Sequence, residues 1–216
     1  VKVFDVIQGS PEWFKLRRGI PTGSEFSRII TPAKGEYAKG ADTYAAELIA
    51  ESLGWYRRFQ GSPDTERGHR LEKEALRWLK LRYSIATKPV GFCMSDCGRY
   101  GASPDALTAD GVPVEVKNPD LHTIIKWKIT GGLPEDHKVQ CHAEMLVTGA
   151  DRCIFIANTE NGYIENIYIE VMRDEFTEKL KAATEKFCDR LDTLRRELTG
   201  DEYEVLFPTT PNAETT

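Results

Sequence analysis

"SPDALTADGVPVEVKNP", residues 103–119, reads as two short extended segments around a turn. In a strand, alternate side chains share a face, so Glu115 and Lys117 point one way while Val114 and Val116 point into the other layer. The turn at "TADG" returns the chain antiparallel, so an Asp105 at the end of the neighbouring strand comes back beside Glu115. Two carboxylates and an ammonium then converge on one spot of a β-branched strand. Either this is an edge strand with a solvated charge pair, or the charges are there for chemistry.

Hard divalent cations such as Mg²⁺ take oxygen ligands and are commonly held by one or two carboxylates plus substrate phosphate. Asp105 and Glu115 supply that pair, and the main-chain carbonyl of Val116 offers a third oxygen. A cation there would polarise a phosphodiester and acidify water, with Lys117 orienting the water or neutralising developing charge. Glu-x-Lys turns up about once per chain of this size by chance. This is the only one in the sequence, and a Pro-Asp precedes it across the turn.

The remaining sequence sets the frame. With 216 residues, the chain can bury one sizeable core, and the expected organisation is a single domain over 1–200 with a mobile polar tail over 201–216. Hydrophobic residues at 40% and charged residues at 29% describe a globular protein, not a disordered or fibrous one. No apolar run reaches the length of a membrane span and the first ten residues lack a secretory pattern, so a cytoplasmic location is expected. Five cysteines at irregular spacing fit reduced thiols; Cys93 and Cys97 lack the second ligand pair of a zinc finger. The net charge of −5 is unevenly distributed: residues 1–90 carry 16 Lys or Arg against 11 Asp or Glu. That leaves a basic half able to face a polyanion.

The basic half is read as helical. A short helix starts at "PTGSEFSRII", with Thr22 or Ser24 as its cap; a second, capped near Asp42 or Thr43, runs to Gly54; a third covers residues 64–83 with Leu71, Ala75, Trp78 and Leu79 inward. Then "KPVGFCM", "VPVEVKN", "DRCIFIANT" and "YIENIYIEV" predict a sheet of four or five strands. Two helical segments, residues 121–131 and 134–149, lie between the second and third runs, which requires a crossover. A last helix spans Arg173 to Leu198, with Phe176, Leu180, Ala183, Phe187, Leu191, Leu194 and Leu198 as its core stripe.

These blocks together resemble a known family. "SPD…VEVKNP" is similar to the PD-(D/E)xK nuclease signature. "QGSPEWFKLRRGIPTGSEF", "RGHRLE", "SPDALTADG" and "VQCHAEMLVTG" narrow the resemblance to the lambda-type exonucleases, the YqaJ-like viral recombinases. The resemblance implies an α/β restriction-endonuclease-like core, a central mixed β-sheet flanked by helices. It implies a metal site of Asp105, Glu115 and the Val116 carbonyl, with Glu72 completing a second, and Lys117 assisting the nucleophilic water. It also places Arg17, Ser24, Ser103 and Gln140 at the 5′-phosphate of a strand end. The implied activity is 5′→3′ digestion of one strand of duplex DNA with Mg²⁺, for which Mn²⁺ may substitute, and two ions per site. The implied partners are double-stranded DNA ends, two further copies in a ring-shaped homotrimer, and a single-strand annealing protein; the implied source is a phage or prophage.

Other readings compete. The same metal site would serve an endonuclease or junction resolvase, and a degenerate site would leave a DNA-end-binding recombination module. Taken singly, Glu72 could decorate a helix surface, His142 could be a satisfied helix histidine, Gln140 could bond a neighbouring carbonyl, and Trp13 is expected in the core.

Overall fold

The computed structural model describes residues 1–55, 63–160 and 163–203. Along these residues the chain forms β1 (Lys2–Phe4), α1 (Pro11–Arg17), a 3-10 helix (Gly23–Arg28), α2 (Ala41–Ser52), α3 (Pro63–Tyr83), β2 (Thr87–Pro89), β3 (Phe92–Met94), β4 (Gly101–Ala102), β5 (Ala106–Thr108), β6 (Pro113–Lys117), α4 (Leu121–Thr130), α5 (Glu135–Thr148), β7 (Arg152–Ala157), β8 (Ile167–Met172) and α6 (Glu175–Thr199).

The five-stranded sheet has the order β2-β5-β6-β7-β8 and is mixed. β5 and β6 form the antiparallel hairpin, with Ala106 opposite Val114 and Leu107 opposite Pro113. β6 and β7 run parallel, with Glu115 opposite Phe155, and α4 and α5 supply the crossover that parallel pairing demands. β6 is therefore the middle strand, and Glu115 is only 2% exposed, which excludes the solvated edge strand.

Each face of the sheet has its own cover. Val114, Val116, Ile154 and Ile156 pack against Ala75, Leu76 and Leu79 of α3. On the other face, Cys153, Phe155 and Ala157 pack against Ile124 of α4 and Cys141 and Met145 of α5. The opposite side of α5 sends Val139, Ala143 and Val147 into the largest core, with α2, α6 and the 3-10 helix. Apolar residues on two sides of one helix bury it nearly all round. It stops at Gly149, whose φ of 77° supplies the left-handed C-cap.

The last helix begins later than its apolar spacing predicts because Asp174 accepts from Phe176 N and Thr177 closes a capping box. Its stripe is buried through Leu191, but Leu198 is 68% exposed. Beyond it, Tyr203 is buried and carries Arg196 over its ring; residues 204–216 of the expected tail lie outside the described residues.

Four local expectations are corrected. "KPVGFCM" is not one strand: β2 joins the five-stranded sheet, whereas β3 pairs with β1 and β4 in a separate three-stranded sheet. Gly91 divides them because the Val6 carbonyl comes so close that a Cβ at Gly91 would sit 2.0 Å from it. α2 starts from Gly40 without a side-chain cap, which puts Asp42 in its first turn. Thr22, not Ser24, is the N-cap residue of the 3-10 helix, and no side-chain cap bond forms there. The "YIENIYIEV" strand is confined to Ile167–Met172. β1 and α1 were not anticipated; α1 is seven residues long, capped by Ser10 and opened by Pro11. Among the described residues, no helix is long and apolar enough to cross a membrane. All five cysteines are free, and all but Cys97 are buried.

Candidate active site

The hairpin register assembles the carboxylates. Asp105 N donates to the Val114 carbonyl at 3.1 Å, and Val116 N donates to Asp105 Oδ2 at 2.6 Å. Asp105 is thus locked beside Glu115, which forms an ion pair with Lys117 on the same face of β6. Glu72, half-buried, comes from α3 on the valine side of the sheet. Asn158, just past β7, braces α3 to the strand end: its Nδ2 donates to the Leu71 carbonyl at 3.0 Å and its N to the Lys117 carbonyl at 2.8 Å.

The electrostatics show crowding. Burial pushes the Asp105 carboxyl well above its usual range, and Glu115 and then Glu72 push it further, against the Val116 amide and Lys117. Burial also raises Glu72, with Glu115 adding to it and His69, at 3.8 Å, opposing. Burial disfavours the Lys117 cation, but Glu115, Asp105 and Glu144 outweigh it and raise the Lys117 pKa.

Glu144 is a member of this cluster that the sequence reading passed over. It is 1% exposed on α5, accepts from Gln140 Nε2 at 3.2 Å, and has the Cys153 thiol at 3.6 Å. Burial raises its carboxyl well above the ordinary range, with Glu115 next in effect. A signal existed: "VQCHAEMLVTG" carries apolar residues on two helix faces, so polar residues within it must lie inside the protein. His142 shares that segment but faces α6. It sits 2.7 Å from Thr177 Oγ1 with its ring edge-on to Phe176, and burial lowers its pKa.

The donor chemistry of Asp105 and Glu115 is that of a hard-cation site, and a dication would relieve repulsion that the single Lys117 only partly offsets. Among the described residues, however, no three Asp, Glu, His or Cys side chains close into a metal-ligand group. Glu72 belongs to the layer on the opposite face of β6 from Glu115, Lys117 engages Glu115, and the Val116 amide engages Asp105. The side-chain pair, with main-chain oxygen and substrate oxygens, is the set on offer.

A second cluster of side chains adjoins the carboxylates through Ser103, two residues before Asp105. Arg17, at the end of α1, donates from Nη1 to Ser103 Oγ at 3.1 Å and from Nη2 to Thr22 Oγ1 at 3.0 Å. Its guanidinium lies 4.0 Å over the Trp13 ring. Trp13 Nε1 in turn donates to Ser103 Oγ at 2.9 Å and to the Gly91 carbonyl at 3.0 Å, so Trp13 is a half-buried platform and not a core residue. Burial pulls the Arg17 pKa down to about 10, against smaller opposing effects of Tyr44, Glu25 and Glu51. Among the described residues no carboxylate forms an ion pair with this guanidinium, whose planar fork has the geometry to hold an anion. Gln8 fixes the strand beneath, its Nε2 donating to the Pro104 carbonyl at 3.0 Å and the Val90 carbonyl at 2.9 Å.

The structure therefore brings Asp105, Glu115, Lys117 and Glu72 into one electrostatic cluster, links Gln140 to it through Glu144, and joins Arg17 to Ser103. Ser24 lies exposed on the 3-10 helix, and among the described residues no hydrogen bond joins it to Arg17 or Ser103. Thr22, two residues earlier, is the one that Arg17 bonds. Asn158 and Glu144 escaped the sequence reading, and Thr22 and Trp13 entered it only as a cap and a core residue, because their parts depend on contacts between distant segments.

Comparison with known proteins agrees with this architecture. The chain is similar to a solved alkaline exonuclease, LHK-Exo from Laribacter hongkongensis, at 25% identity and a TM-score of 0.70, over 88% of this chain and 98% of that one. A phage-related exonuclease from Haemophilus somnus is similar in fold, at 16% identity and a TM-score of 0.63, over 83% of this chain and 96% of that one. The core is thus the restriction-endonuclease-like one. No curated protein matches the chain by sequence. Residues 12–151 match the model of the YqaJ-like viral recombinase domain, which takes in the family blocks quoted above except for residues 8–11. The chain belongs to the YqaJ-like viral recombinase family.

Proposed function

We propose that this chain is a metal-dependent exonuclease that digests one strand of linear duplex DNA 5′→3′ from a 5′-phosphorylated end. The 3′ overhang left behind is the substrate of an annealing protein in recombination. Family membership and likeness to the Laribacter alkaline exonuclease support the coarser reading, a phage-type exonuclease. The observation that carries the finer one is the Arg17–Ser103 receptor two residues from Asp105. An endonuclease has no need of a terminal-phosphate receptor abutting its carboxylates.

In this reading Arg17 and Ser103 grip the terminal phosphate, which sets the adjacent phosphodiester over Asp105 and Glu115. Lys117, raised in pKa and so charged, neutralises the developing phosphorane and orients the attacking water. Asp105, Glu115 and the Val116 carbonyl would hold Mg²⁺, with Glu72 toward a second ion, and the bound metal would supply Lewis-acid polarisation of the phosphodiester and acidification of water. Mn²⁺ has the same preference for oxygen ligands. A ring-shaped homotrimer belongs to the proposal because enclosure would hold a net acidic chain on DNA.

The test is digestion of linear duplex labelled separately at each 5′ end, with Mg²⁺ and with or without a terminal phosphate, beside covalently closed circles. Release of label from phosphorylated ends and intact circles are expected. Products from closed circles would replace the exonuclease with an endonuclease.

A further inference from the structure

α3 carries more than Glu72. Lys73, Arg77 and Lys80 stand at steps of four and three on its solvent side, all exposed. Among the described residues none of the three forms an ion pair. Their neighbours are committed: Arg67 and Arg70 both bind Glu160, at 2.6 Å each, and Arg70 also meets Glu74 at 3.0 Å. These bonds clamp the start of α3 to the loop after β7 and leave the next two turns with an unneutralised line of positive charge. Seven residues at 1.5 Å per residue make that line about 10 Å long. It begins beside Glu72 and runs away from the carboxylate cluster, bordering a shallow hollow lined by His69, Arg70, Lys73, Glu74 and Arg77.

Glu74, the carboxylate beside this line, is taken by Arg70, and among the described residues no acid forms an ion pair with Lys73, Arg77 or Lys80. We infer that Lys73, Arg77 and Lys80 form a track for the phosphate backbone of duplex DNA, continuing from the catalytic cluster. Duplex is favoured over single strand because single-strand sites interleave cations with exposed aromatic rings for base stacking. Here the one aromatic within the stretch, Trp78, is partly buried against the core beneath α3 and edge-on to Tyr83. Cations alone read a backbone whose bases are hidden. The inference rests on the nuclease reading above, and adds the path the substrate takes over the surface.

The experiment reads DNA affinity against salt by fluorescence anisotropy, using a blunt phosphorylated duplex of about 30 base pairs. Hydrolysis is blocked in every protein by Asp105→Asn. The triple variant Lys73→Gln, Arg77→Gln, Lys80→Gln should make the log–log salt slope shallower by about 2–3, since each lost phosphate contact removes about 0.9. A triple variant of α6, Lys179→Gln, Lys181→Gln, Lys186→Gln, removes as many charges elsewhere and should change the slope by less than about 0.5. Exchanging charge for charge, Lys73→Arg, Arg77→Lys, Lys80→Arg, should keep the original slope and shows that the fold survives substitution on this face. An unchanged slope in the α3 variant, or an equal change in the α6 variant, would overturn the track while wild-type hydrolysis of linear duplex still upheld the nuclease reading. A loss confined to a single-stranded 30-mer would overturn the duplex assignment. No binding by any form, together with no hydrolysis by the wild-type protein, would remove both.

Discussion

Substituting Arg17 isolates the receptor from the carboxylates. A guanidinium has five N–H donors, of which Ser103 and Thr22 take one each. Among the described residues the other donors form no hydrogen bond, and their plane is fixed by the Trp13 ring at 4.0 Å. Hydrogen bonds to charged groups contribute about 1.5–3 kcal/mol each, and a terminal phosphate would engage at least one and commonly two. Allowing for partial replacement by water, Arg17→Ala should cost about 2–4 kcal/mol in the transition state on a phosphorylated end. At about 1.4 kcal/mol per tenfold, kcat/KM for that substrate falls roughly 30- to 1000-fold. On a 5′-hydroxyl end, where the receptor has little to hold, the loss should stay under about fivefold. Arg17→Lys, which keeps the charge but not the fork, should fall between. The assay compares kcat/KM on matched linear duplexes differing only in the terminal phosphate. Equal losses on both ends would refute the receptor, and with it the argument that the unpaired guanidinium awaits an anion.

Asp105→Asn should lower turnover by more than about a hundredfold, because even outer-shell substitutions at metal sites cost about 10- to 100-fold; duplex binding measured in the same protein should persist, and retained cleavage would place the chemistry elsewhere. Glu144→Gln keeps the bond to Gln140 and removes a buried acid. Folded Glu144 holds its proton more tightly than unfolded, so its contribution is fully present below the unfolded pKa and is lost as pH rises through the folded one. The variant should therefore gain in Tm over wild type as pH rises from about 5 to about 8, and a gap that does not widen would mean that the carboxyl is not held protonated. Phe187→Ala, at a side chain with no exposure stacked 5.4 Å from Tyr44, should cost about 3–5 kcal/mol and roughly 6–20 °C in Tm by calorimetry, with kcat at low temperature unchanged.

Much of the fold was legible because it rests on local patterns. The crossover between β6 and β7 followed from two helical segments between two β-branched runs, and the inward face of α3 followed from spacing alone. The centre of the site was legible for the same reason: alternation along β6 and the turn at "TADG" bring Asp105 to Glu115 with no long-range information. What failed depended on partners far along the chain. "KPVGFCM" is continuous as a pattern, and only the approach of Val6 to Gly91 shows why it must divide. Trp13 has the composition of a core residue, and its use as a platform needs Ser103, 90 positions away. Thr22 was read only as a helix cap, and its bond to Arg17 depends on how the 3-10 helix is set against α1.

The burial of α5 on two sides has a consequence for how the molecule comes apart. Val139, Ala143 and Val147 hold one core while Cys141 and Met145 hold the other, so neither core can open without exposing the helix that completes its neighbour. The two sheets therefore melt as a single cooperative unit, and amides of α5 exchange with solvent only through global unfolding. Gln140 and Glu144 ride on that helix, which makes their geometry as durable as the fold itself.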